Sequence, residues 1–162
     1  MSTNVMAADV KEKESNATIV SVATAMNVAE TFIKSSNYNQ KWSQTQLVFF
    51  ENLYDIDESL LGYYFIVRDN GESIGHIIVS ATEDRGPVLQ YGDGASNSKK
   101  TGLKAYYVGG IIHEKNAADV IQKAKTKNID LKPMASNSEI SRSEWESSKS
   151  DIVALSSPIS KE

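Results

Sequence analysis

Cysteine is missing from this chain, and its absence removes disulfides, thiol nucleophiles and cysteine metal sites. Histidine is nearly missing too, leaving His76 and His113 as the two imidazoles. Serines abound, yet no Gly-x-Ser-x-Gly elbow surrounds any of them, and the histidines lack the spacing of a helical zinc site. Carboxylates gather in turns rather than as a facing pair. The sequence therefore shows no catalytic constellation and reads as a non-enzyme with no cofactor and no metal. Basic charge is also in deficit, with a net of −4, which argues against nucleic acid and anionic membrane as partners. No apolar run approaches the roughly 18 residues that would span a bilayer as a transmembrane helix.

What is present organises itself around residues 47–91, where apolar runs alternate with turn signals. At 162 residues with 40% hydrophobic content, one domain with flexible ends is expected. Residues 1–20 read as a mobile arm, 21–128 as an α+β domain, and 129–162 as a Ser-rich linker or tail. Within the arm, Val5-Met6-Ala7 followed by Ala8-Asp9 has the small-x-small pattern of a signal-peptidase site, without the apolar segment that precedes one. That partial pattern points to a secreted or cell-surface protein.

The centre of the long stretch is a hairpin. Asn70-Gly71 between two apolar runs predicts a two-residue type I′ turn, because both central residues must take positive φ. Such a turn sets Val67 opposite Ile74, Phe65 opposite His76, Tyr64 opposite Ile77 and Gly62 opposite Val79. It puts Gly62 and Gly75 on one face with Tyr64 and Ile77. Both faces are apolar, so the pair is expected at the centre of its sheet. Glycine inside a strand marks a bulge or the close approach of another backbone or helix. Tyr63, Tyr64 and Phe65 read as packing residues, and His76, beside Phe65, as a packed histidine.

Before the hairpin, Val22, Ala25, Met26, Ala29, Phe32 and Ile33 form a helical stripe, predicting a helix over 21–36 with Ser21 or Thr24 as its cap. Trp42 is expected to seal the end of the helix–sheet core, ahead of a strand over 45–54. The acidic segment 55–59 lacks the oxygen spacing and mid-loop glycine of a calcium loop, and reads as a solvated turn. After the hairpin come a short strand over 88–91, a polar loop over 92–100, and the apolar run 104–113. That run is read as a single strand bent at Gly109-Gly110. Asn116 caps a second helix, striped by Ala117, Val120, Ile121 and Ala124 and ending near Asn128. The tail holds the lone Trp145 and a short helix near 141–149. The fold expected is thus an antiparallel sheet of four to five strands with both helices on one face.

Particular residues carry a resemblance. Leu53-Tyr54-Asp55, Gly62-Tyr63-Tyr64-Phe65, Asn70-Gly71, the run 75–81 and Pro87-Val88-Leu89, with the earlier helix and Trp42, resemble the prodomains of streptopain-type secreted cysteine proteases and their stand-alone inhibitor relatives. The resemblance covers 22–94, with 105–127 fitting as a further strand and helix. It implies a module that occludes the cleft of a papain-like cysteine protease or assists its folding, with that protease as partner. It transfers no inhibitory residues one by one.

The contact candidates are therefore physical ones. They are Gly92, Asp93, Gly94, Asn97, Ser98 and Lys99 in the polar loop, Leu131, Pro133 and Met134 after the second helix, and an exposed sheet edge able to pair with an extended strand. The competing expectations are an extracellular or cell-surface binding module for a peptide, wall polymer or other surface protein, and a purely structural domain.

Overall fold

The structure, a computed structural model, describes residues 18–36, 39–95 and 101–156. In chain order the elements are α1 (Val22–Ser35), α2 (Asn39–Trp42), β1 (Gln46–Tyr54), β2 (Leu60–Asp69), β3 (Glu72–Ser80), β4 (Val88–Asp93), β5 (Lys104–Tyr107), β6 (Ile111–Glu114), α3 (Ala117–Thr126) and α4 (Ser138–Ser156). The six strands form one sheet in the order β4-β3-β2-β1-β5-β6. The fold is α+β, as expected, but the sheet has more strands than expected and is mixed. β1 and β5 run parallel, whereas every other neighbouring pair is antiparallel.

The extra strand comes from the run over 104–113. Gly109 takes φ of 90°, a conformation that strains any residue with a Cβ, and it folds the run back as the β5–β6 hairpin instead of bending one strand. At the other end, residues 18–20 leave the expected arm. Val20 donates to the Ala81 carbonyl, Glu83 donates to Thr18, and Val20 is buried.

The central hairpin forms as predicted at its turn, with Asn70 and Gly71 both at positive φ. Asp69 pairs with Glu72 and Arg68 with Ser73. A bulge then sets Val67 opposite Gly75, Phe65 opposite Ile77 and Ile66 opposite His76. This overturns the expected register by one residue. The reason lies in Trp42, which is 1% exposed beneath β3. A Cβ on Gly75 would stand 2.4 Å from Trp42 Cζ2, so only glycine fits there. The bulge sends Gly75, Ile77 and Val79 to the helix side and keeps His76 off it. Gly62 lies on the opposite face from Gly75, where a Cβ would meet the Val79 carbonyl at 2.8 Å. His76 stacks on Tyr64 rather than Phe65, with ring centroids 5.5 Å apart and planes at 5°.

On the helix side, α1 buries Ala25, Val28, Ala29 and Ile33 against Tyr63, Phe65, Val67, Ile77 and Val79. Ser21 is its N-cap, its Oγ accepting from the Thr24 N–H at 3.1 Å. Tyr63 donates to the Val20 carbonyl at 2.6 Å, and burial raises its phenol pKa. The opposite face is filled by the strands' own side chains and Ala95. Leu53, Tyr64, Ile66 and Ile78 are buried there as the sheet curls over them.

The acidic segment 55–59 is a turn, as expected, but is solvated only in part: Asp57 and Glu58 are exposed while Asp55 is buried. Asp55 is 2% exposed; its Oδ2 accepts from the Met134 N–H at 2.8 Å and lies 3.6 Å from Arg85 Nη2. Glu58 accepts from the Tyr106 hydroxyl at 2.6 Å and from the Ala117 N–H at 2.8 Å. Those two bonds, with Lys104 adding a smaller effect, hold the Glu58 carboxyl below the usual glutamate range. Burial, and then the Glu58 carboxylate, push the Tyr106 phenol upward.

The Ser-rich stretch carries α4, longer than the short helix expected. Trp145, 1% exposed, joins the core under α1, and its Nε1 donates to the Arg85 carbonyl at 2.7 Å. Arg85 also donates through Nη2 to the Met134 carbonyl at 3.2 Å. One residue thus ties the β3–β4 connection to both the strap over 129–137 and α4.

Candidate binding edge

β4 is one open edge of the sheet, and its sequence explains why it stops the ladder. Gly86-Pro87 enters it, and proline cannot donate to a partner strand. Gly94 leaves it at φ of 80°, donating to the Ile74 carbonyl at 2.9 Å. With Gly94 and Ile74 bonded, alternation along an antiparallel ladder bonds Gly92 to His76 and Gln90 to Ile78. The backbone N–H and C=O groups of Asp93 consequently face away from β3. An extended chain can pair with those groups.

Side chains furnish one face of the edge. On the helix face Tyr91, 46% exposed, packs on Phe32 with ring centroids 4.6 Å apart. Beside it lies a cleft of about 490 Å³ between α1, α4 and the start of β4, lined by Phe32, Val88, Ser143, Glu144, Ser147 and Asp151. Hydroxyls and two carboxylates over an aromatic base suit a polar or basic side chain. At the far end, Lys41 Nζ pairs with Asp93 at 2.6 Å, both largely exposed and worth little to stability.

The loop candidates split. Gly92, Asp93 and Gly94 stand together at the end of β4, with the Gly94 carbonyl 2.8 Å from His76 Nδ1. Asn97, Ser98 and Lys99 lie outside the described residues. Leu131 packs half-buried against the cluster around Tyr106 and Val120, Pro133 is exposed, and both backbone groups of Met134 are bonded to Asp55 and Arg85. Met134 sits beside the start of β4, about 17 Å along the strand from the loop group at its end. The structure does not bring the two candidate groups into one patch. Sequence reasoning missed Tyr91 and the cleft, because Glu144 and Asp151 stand in a stretch read as a tail. The edge itself was foreseen.

Among the described residues the contacts of both histidines are packing or carboxylate contacts. His76 is spent on Tyr64 and Gly94, and His113 Nε2 lies 3.1 Å from Glu51 Oε2 across Ala105. Among the described residues no group of three or more His, Cys, Asp or Glu side chains is placed to hold a metal ion. Nor is any helix among the described residues long and apolar enough to cross a membrane.

Compared with known proteins, residues 17–107 match the Spi protease inhibitor family, which takes in α1 through β5 and hence the whole of the β4 edge. No curated protein and no solved structure matches the chain.

Proposed function

Since the chain belongs to the Spi protease inhibitor family, we propose that it blocks a papain-like cysteine protease of the streptopain type, reversibly and without a covalent bond. The family match is the observation that carries this reading. The residues quoted for the prodomain resemblance lie inside the matched span and point to the cysteine-protease class. With no thiol in the chain, a trapping bond through cysteine is not available, so inhibition rests on occluding the cleft.

The β4 edge is the surface assigned to this task. Papain-like clefts accept extended chain, and an edge strand with outward Asp93 backbone groups supplies complementary hydrogen bonds. Gly92, Asp93 and Gly94 at the end of β4 flank the contact. Its place of action is outside the cell or at its surface, alongside the secreted proteases of the resemblance.

Titration into a purified streptopain-type protease, with papain as control, tests the reading. Activity falling to zero near equimolar inhibitor, with the chain left uncut, supports it. No inhibition at micromolar concentrations, or rapid digestion of the folded core, rejects it in favour of a binding module with another target.

A further inference from the structure

The opposite edge of the sheet carries a second feature, built mostly from residues beyond the span that matches the family. Among the described residues β6 pairs with β5 alone. The Val108 N–H donates to the Gly110 carbonyl, so alternation bonds Ile112 and Glu114 inward and turns the backbone groups of Ile111 and His113 outward. Against β6 stands α3, and between them lies a groove of about 320 Å³. Val120, Ala124 and Leu131 line it together with Ile111 and Ile112. Asn128 closes α3 at φ of 62°, and Ile129 donates back to the Ala124 carbonyl, which holds Ile129 at the rim with 49% of its surface exposed.

The charged side chains that line this groove are lysines, one of them met by Glu114. Lys123 and Lys127 line its mouth and Lys125 lies on the same helix, against Asp119 as the helix's one acidic residue. Lys123 is shared with Glu114, which leaves Lys127 as the cation nearest the exposed apolar rim. This basic patch stands out in a protein of net charge −4. Edge backbone, apolar groove and lysine rim together define a strand-beside-helix site of the kind that captures extended peptide.

We propose that β6 and α3 form a second docking site, for an extended peptide with alternating apolar side chains and a flanking carboxylate. The strand pairs with Ile111 and His113, an apolar side chain enters between Ile112 and Ala124, and the carboxylate meets Lys127. The site is independent of the β4 edge, so a protease held at β4 leaves it open. It gives an inhibitor the means to hold a second, acidic partner at the same time.

The experiment uses the full chain and a fluorescein-labelled Thr-Val-Glu-Leu-Glu peptide, read by polarisation, with a Lys-for-Glu version as control. Saturable binding of the acidic peptide, absent for the basic one, is expected. Ala124→Arg fills the groove and Lys127→Glu reverses the rim; each should weaken binding at least about tenfold, a loss of about 1.4 kcal/mol. Both positions are exposed or half-buried on α3, so circular dichroism and protease inhibition should be unchanged. No binding of the acidic peptide, equal binding of the basic one, or binding that survives both variants would overturn the proposal.

Discussion

At the scale of single residues, the register of the sheet is decided by Gly75 against Trp42. Gly75→Ala must push Trp42 aside or break the β3–β4 pairing, since the added Cβ also stands 3.0 Å from the Gly92 carbonyl. Overpacking of this kind costs about 1–3 kcal/mol, which urea unfolding of the variant would show. The type I′ turn was readable from Asn70-Gly71, but the bulge was not, because it answers a side chain about thirty residues away in sequence. Glu58 makes a second residue-level prediction. Its pKa is lowered in the folded state, so its contribution is fully present above the unfolded value near 4.5 and fades as pH falls below it. Glu58→Gln should therefore flatten the stability profile below about pH 4.5, read by urea unfolding at stepped pH. A wild-type and variant that lose stability in parallel would contradict the role given to Tyr106 and Ala117 as donors.

At the scale of elements, α4 shows why part of the fold was hidden. Its inward positions are Ser141, Trp145, Ser148 and Ile152, spaced four, three and four apart like any packed helix. Two of the four are serines, so the stripe is too polar to stand out, and the segment reads as a tail. α1 was legible because its stripe is apolar throughout. The run 104–113 was recognised as strand but not as two strands, since a glycine pair signals a bend and a reversal equally well. The weight carried by α4 can be measured. Trp145→Ala leaves a cavity under α1 and orphans the Arg85 carbonyl, for an expected loss of about 3–5 kcal/mol. Asp55→Ala leaves buried Arg85 with the Asp84 carboxylate at 3.8 Å and frees the Met134 N–H, with an expected loss of about 3 kcal/mol. Urea midpoints within error of wild type for both would show the strap and α4 to be dispensable.

For the whole molecule, the functional reading joins a family of protease inhibitors to a sheet with two open edges of different character. The β4 edge lies in the matched span and opens on a polar cleft, while the β6 edge opens on an apolar groove rimmed by lysine. The edge was anticipated as a contact surface; the cleft beside it needed α4 to be in place. A backbone-mediated mechanism makes an unusual mutational demand. Asp93→Pro removes one outward donor while its inward pairing is untouched, so inhibition should weaken at least about tenfold, with Asp93→Ala, which keeps the N–H, closer to wild type. Equal loss in the two variants would assign the effect to the carboxylate paired with Lys41.

The most direct measurement is amide hydrogen exchange, residue by residue, on the inhibitor alone and in complex with a streptopain-type protease. The amide of Asp93 should exchange freely in the isolated chain and become protected in the complex, while Gly92, already bonded to His76, changes little. Full inhibition with Asp93 still exchanging freely would contradict the assignment of the β4 edge as the inhibitory surface.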